Sequence, residues 1–246
     1  MGEIAGGEDV LGVLVPHAGF MYSGKVAGMV YRRIKPADSY VILGPNHTGM
    51  GPPLSLMREG IWRMPFGEVA INSDLAESIL INSKHLKEDI LAHQYEHSIE
   101  VQLPFTQTLK ADSQFVPIAV AHMPLSADSL DVARDVGEAI AKAVKATREK
   151  VVVVASTDLT HYEPQDAAKE KDDAALKAVL ALDPKKLFAE VGKRSISMCG
   201  YGPTAIMLYA CRALGAKKAE LAGYMTSGDV TGDYEQVVGY GGVLVK

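Results

Sequence analysis

Three histidines sit where a buried strand has just ended. His17 follows the apolar run at 10–15, His47 follows the run at 39–43, and His161 follows the four valines at 151–154. One loop histidine alone reads as a surface or hydrogen-bonded residue. Three in the same topological position point to the crevice beyond the strands' carboxyl ends, where open α/β sheets bind ligands. Histidine, cysteine and carboxylate are the usual ligands of zinc, iron and copper. Two histidines and one anionic ligand on one face leave positions open for substrate or oxygen. Cys199 is the anionic candidate, because Gly200, Gly202 and Pro203 hold it in a tight turn ahead of a helix. A helix N-terminus lowers a thiol pKa and favours thiolate. The plainer reading of Cys199 is a small buried apolar residue.

Other polar residues cluster around the same points. Asp158 lies three residues before His161 and either orients an imidazole or caps the next element. His97, between Glu96 and Glu100, is a supporting or catalytic imidazole, or else a helix-surface ion pair. His85, His93 and His122 read as structural or solvated, and Cys211 as core. Tyr22 and Tyr201 flank the expected site.

The elements that must position these residues follow from apolar patterning. Runs at 10–15, 39–43, 114–121 and 151–154 are short, apolar and rich in β-branched residues, as expected of strands buried on both faces. The valine strand is expected to be central and fully buried. Two further strands are expected at 220–226 and 236–245, and an edge hairpin at 54–64. Helices are expected from Ser23 as cap to about 34, at 74–82, from 95 through 109 with Pro104 bending it or setting its start, and at 126–147 with Ser126 as N-cap. More follow at 166–182, 184–191 after the Asp183–Pro184 pair, and 204–214 before Gly215. Residues 1–9 read as a frayed lead-in. Strands alternating with helices predict one α/β domain over 1–246, a mostly parallel or mixed sheet with helices on both faces.

Composition narrows the classes. The 246 residues are 48% hydrophobic and 22% charged, with a net charge of −5. No basic stripe suggests nucleic acid, and no polybasic or long apolar segment suggests a membrane. Two cysteines make no disulfide framework, and no signal core precedes the first strand, so a cytoplasmic protein is expected.

The segments PHAGFMYSG (16–24), LGPNH (43–47), EHSIEVQLPF (96–105), STDLTHY (156–162) and MCGYGP (198–203) resemble, in this order, the Memo family, named after a mediator of receptor-driven cell motility. That family is similar in fold to the class III (LigB-type) extradiol dioxygenases, which are non-heme iron enzymes. The resemblance implies a metal site on His17, His47 and Cys199, where the dioxygenases have a glutamate in place of the cysteine. It implies a catalytic acid–base at His161 with Asp158, and His97 lining the same pocket. Family members carry a longer segment before the first strand, so one pocket wall is expected to be absent here or supplied otherwise.

Three functions fit. The first is an iron- or copper-dependent oxidoreductase. The second is a binding protein on an enzyme-derived scaffold, its pocket taking a peptide or a small molecule. The third is a zinc hydrolase, since two histidines, a cysteine and a water also make a catalytic zinc site. No nucleic acid or membrane partner is expected, and a homo-oligomer is compatible with all three.

Overall fold

The computed structural model describes residues 7–246. Its strands are of two kinds, a buried central set whose apolar runs leave no face for water and outer or hairpin strands that are partly exposed. In chain order these are β1 (Gly12–Val15), β2 (Ser39–Pro45), β3 (Leu54–Leu56), the hairpin β4 (Ile61–Met64) and β5 (Gly67–Ala70), β6 (Lys87–Glu88), β7 (Gln114–Val120), β8 (Val151–Ser156), β9 (His161–Glu163), β10 (Ala219–Thr226) and β11 (Val237–Val245). The helices are α1 (Phe20–Tyr31), α2 (Ser73–Asn82), α3 (Leu103–Leu109), α4 (Ala127–Ala146), α5 (Gln165–Leu180), α6 (Pro184–Arg194), α7 (Tyr201–Leu214) and the short α8 (Gly228–Thr231).

The main sheet runs β10-β11-β1-β8-β2-β7-β3-β6, with β9 added on β11. Strands β1, β8, β2 and β7 are parallel, while β11, β10 and β3 join antiparallel. The sheet is therefore mixed, with a parallel centre. β8 lies between β1 and β2, and all its residues are buried, as four consecutive valines demand. Helices α4 and α7, with α2, α5 and α6, cover one face, and α1 with α3 covers the other. The apolar core is continuous through the chain, so 7–246 form one domain.

Several expected elements differ in their bounds. Helix α1 starts at Phe20, three residues before Ser23, whose hydroxyl donates to the Ala18 carbonyl inside the first turn. The helix expected from 95 is absent until a 3-10 turn at Glu100–Gln102. Glu96 breaks it by turning its carboxylate back onto the Ser98 N–H, and Pro104 then sets the start of α3. The hairpin lies at Ile61–Ala70, not at 54–64, because Leu54–Leu56 pairs with β7 in the main sheet. Helix α7 begins at Tyr201 rather than 204. Residues 1–6 of the expected lead-in lie outside the described residues. Glu8 is not frayed: its N–H donates to the Arg33 carbonyl, and its carboxylate pairs with Arg33 at 2.7 Å.

The β4–β5 hairpin and the 3-10 turn Leu91–His93 also bury a histidine that read as structural or solvated. His93 is 6% exposed, and burial holds its imidazole at a pKa of about 4 against an ordinary 6.5. The folded protein keeps this ring neutral, while the unfolded chain takes up a proton below pH 6.5. Stability from this group is complete above pH 6.5, falls between 6.5 and about 4, and is flat below. Urea denaturation across that window is expected to show a loss on the order of 3 kcal/mol from His93. His93→Leu should remove that part of the slope. Equal slopes in both proteins would show that the ring already titrates in the fold.

Candidate metal centre

Each of the three ligand candidates leaves a strand or precedes a helix at the same end of the sheet. His17 is two residues past β1, His47 two past β2, and Cys199 two before α7. Their ligand atoms all lie within 4.8 Å of one another, with Cys199 Sγ 3.5 Å from His17 Nε2. The ring centroids of His17 and His47 are 5.4 Å apart. His17 is buried, Cys199 half-buried and His47 exposed, so the cluster opens on its His47 side. Two close approaches make this possible. A side chain at Gly44 would put Cβ 2.4 Å from Ser98 Oγ, and one at Gly200 would lie 2.5 Å from Thr157 Cβ.

Hydrogen bonds place a hydrogen on Nδ1 of both imidazoles. Ser156 Oγ donates to the Ser98 carbonyl at 2.6 Å and accepts from the Gln102 amide at 2.9 Å. A hydroxyl has one donor and two acceptor sites. The remaining site faces His17 Nδ1 at 3.0 Å, so Nδ1 carries the hydrogen and Nε2 its lone pair. Burial pushes the His17 pKa down to about 4, which keeps the ring neutral. His47 Nδ1 lies 2.9 Å from Glu96 Oε1. Burial alone would raise the Glu96 carboxyl, but hydrogen bonds from His47 and Ser98 hold it at about 2. An ionised carboxylate only accepts, so His47 Nδ1 also carries its hydrogen; the Glu96 hydrogen bond raises the His47 pKa, so a metal at Nε2 competes with a proton there. Neutral imidazoles with a carboxylate or hydroxyl behind them are the usual metal-binding form. The donor set and spacing therefore fit a metal ion.

Asp158 fastens the centre. Its carboxylate accepts the backbone N–H groups of His17 at 2.9 Å and Ala18 at 3.3 Å, and its own N–H donates to Cys199 Sγ at 3.3 Å. It holds the His17 backbone and not the His161 ring. Burial, and then the Asp158 carboxylate, push the Cys199 thiol up to about 12. This reverses the expectation of a helix-stabilised thiolate: the sulfur is buried, and the carboxylate facing it outweighs the start of α7. A free Cys199 is a neutral thiol, and a metal would have to displace its proton.

His97 comes to the centre by stacking. Its ring lies 5.0 Å from His47 at 21° and edge-on to His17 at 5.5 Å. His47, Glu96 and His97 also form a second close group of ligand atoms. His161 belongs to neither group. Its N–H donates to Ser197 Oγ, and its Nδ1 lies 2.8 Å from the Ser197 carbonyl, which ties it to the loop carrying Cys199. The carbonyl leaves Nε2 of His161 as the free lone pair. Tyr201 is buried with its hydroxyl donating to the Met123 carbonyl, so it packs behind the centre. Glu96, 3% exposed, is the residue that sequence reading passed over. Its place beside His97 in EHSIE was the available signal.

The profile of the Memo-like proteins matches residues 3–244. A MEMO1 family protein of Methanopyrus kandleri is 44% identical over 239 residues, covering 96% of this chain and 83% of the relative. One from Methanococcoides burtonii is 44% identical over 240 residues, 97% of this chain and 88% of the relative. Another from Methanocaldococcus jannaschii is 44% identical over 249 residues, 97% and 85%. The crystal structure of an uncharacterized protein from Escherichia coli K12 shares the fold at a TM-score of 0.66. It is 11% identical and covers 96% of this chain and 100% of its own.

If Glu96 orients His47, Glu96→Gln should weaken metal binding by about 10–100-fold, the usual effect of losing a carboxylate behind a ligand histidine. Competition with a chelating dye measures this. Unchanged affinity would show that His47 needs no such support.

Proposed function

The chain belongs to the Memo family, and on that premise we propose that it is a metal-dependent redox protein holding one iron or copper ion on His17, His47 and Cys199. The observation that carries this reading is the convergence of one ring nitrogen from each of two histidines and one thiol sulfur within 4.8 Å, each residue held from behind by a buried polar group. Such an ion supplies one-electron chemistry and polarises a ligand bound at its open positions. A thiolate is a soft donor, so it suits copper or zinc as well as iron.

The protein's own part is positioning and proton handling. Ser156 and Gln102 fix His17, Glu96 fixes His47, and Asp158 fixes the backbone around His17 and the sulfur of Cys199. His161 offers a free Nε2 and is held through Ser197, an arrangement suited to taking or giving a proton without ligating. His97, exposed and stacked on His47, is placed to contact a bound molecule. A cavity of about 320 Å³, lined by His122, Leu125, Ser197, Met198 and Tyr201 among others, reaches Cys199 but none of His17, His47, His97 or His161. Among the described residues no helix is long and apolar enough to cross a membrane.

Metal analysis of untagged protein tests the reading. Stoichiometric iron or copper is expected in the wild type, with loss in His17→Ala and Cys199→Ser and retention in His161→Ala. Zinc alone would favour a hydrolase. No metal under reducing, metal-replete growth would leave a binding protein on an enzyme-derived scaffold. Loss of metal from His161→Ala would make that residue a ligand.

A further inference from the structure

A second cleft, of about 400 Å³, opens between the β4–β5 hairpin and the segment at 90–100. That volume is typical of small-molecule sites. None of the residues that line it is among His17, His47, Cys199, His161 or Asp158. One wall is the indole of Trp62, which stands edge-on to His93 with centroids 6.1 Å apart. Met57 and Met64 add thioethers, which pack well on aromatic rings. Ile90, 61% exposed, adds apolar surface that nothing in the fold covers. Arg63 and Glu100 bring one charge of each sign, so the cleft does not demand a charged ligand.

The polar groups of the cleft are poorly used. Both ring nitrogens of His93 are buried and neither has a hydrogen-bond partner. The Ser55 backbone approaches this ring without a bond of acceptable geometry. A neutral imidazole carries one donor and one acceptor, and leaving both unpaired in the interior is costly. Presenting them to the cleft takes a rotation about the Cβ–Cγ bond, which sacrifices no existing partner. Trp62 Nε1 donates only to Met57 Sδ, at 3.5 Å, a weak acceptor that a carbonyl oxygen would replace with gain.

We propose that this cleft is a binding site for a flat, uncharged heteroaromatic molecule that carries a hydrogen-bond donor and an acceptor on one edge. The ring would lie against Trp62 and the thioethers, and its polar edge would pair with His93 and the indole N–H. The site does not depend on the metal centre.

Quinazolin-4-one, which has an N–H and a carbonyl on one edge, is a suitable probe for calorimetry on the intact protein. Quinoline and benzoate are its controls. Trp62 is the sole tryptophan, so its emission gives a second readout of the same site. Saturable binding of quinazolin-4-one is expected, with quinoline at least about tenfold weaker, the cost of one lost hydrogen bond. His93→Phe and Ile90→Asp should each weaken it by a similar factor, and Cys199→Ser should leave it unchanged. Ile90 is at the surface, so Ile90→Asp remains informative even where His93→Phe fails to fold. Absence of binding at about 1 mM, a Kd already near the weak end of specific recognition, would overturn the proposal. So would equal binding of quinoline or benzoate, or loss in Cys199→Ser with retention in Ile90→Asp.

Discussion

Parallel pairing of β1, β8 and β2 is the constraint on which the rest depends. Val13 pairs with Val154, and Ile42 pairs with the same Val154 from the other side. That register brings three chain exits to one edge. His17 and His47 leave β1 and β2 there, and Ser156, Thr157 and Asp158 leave the strand between them. A shift by one residue in β8 would turn Ser156 and Asp158 away, because strand side chains alternate between faces. The four valines of β8 present the same surface on both faces and do not distinguish the registers, so the polar contacts of Ser156, Thr157 and Asp158 beyond them fix it.

Asp158 and Ser156 then convert strand register into ligand geometry. One carboxylate holds two N–H groups beside His17, and the adjacent backbone N–H reaches Cys199. One hydroxyl links His17 to Ser98 and Gln102, on the segment that also carries Glu96. Both imidazoles are thus set by one connected polar network. Such networks are worth most when every member is satisfied, and here the donor and both acceptor sites of Ser156 and both carboxylate oxygens of Glu96 have partners.

Much of this was legible in the residues. Strand runs without polar interruption placed the sheet, and histidines just beyond them placed the crevice. His17, His47 and Cys199 could be grouped because each sits at an abrupt change from apolar run or glycine turn to chemistry. What escaped was set by tertiary contact. Glu96 reads as a helix-surface charge until its carboxylate is seen to bond His47 and Ser98, which also dissolves the helix expected there. The Cys199 thiol reads as activated by α7, but burial and Asp158 dominate, and neither is visible from spacing. His93 sits in a polar stretch, and its burial comes from tertiary packing, Trp62 of the hairpin included, that spacing does not show.

The central claim is that one sulfur and two imidazole nitrogens share an ion. X-ray absorption at the edge of the metal that copurifies tests it most directly. One sulfur at about 2.3 Å and two nitrogens at about 2.0–2.1 Å are expected in the wild type, with the sulfur contribution gone in Cys199→Ser. A shell of nitrogen and oxygen alone in the wild type would contradict a cysteine-ligated metal centre.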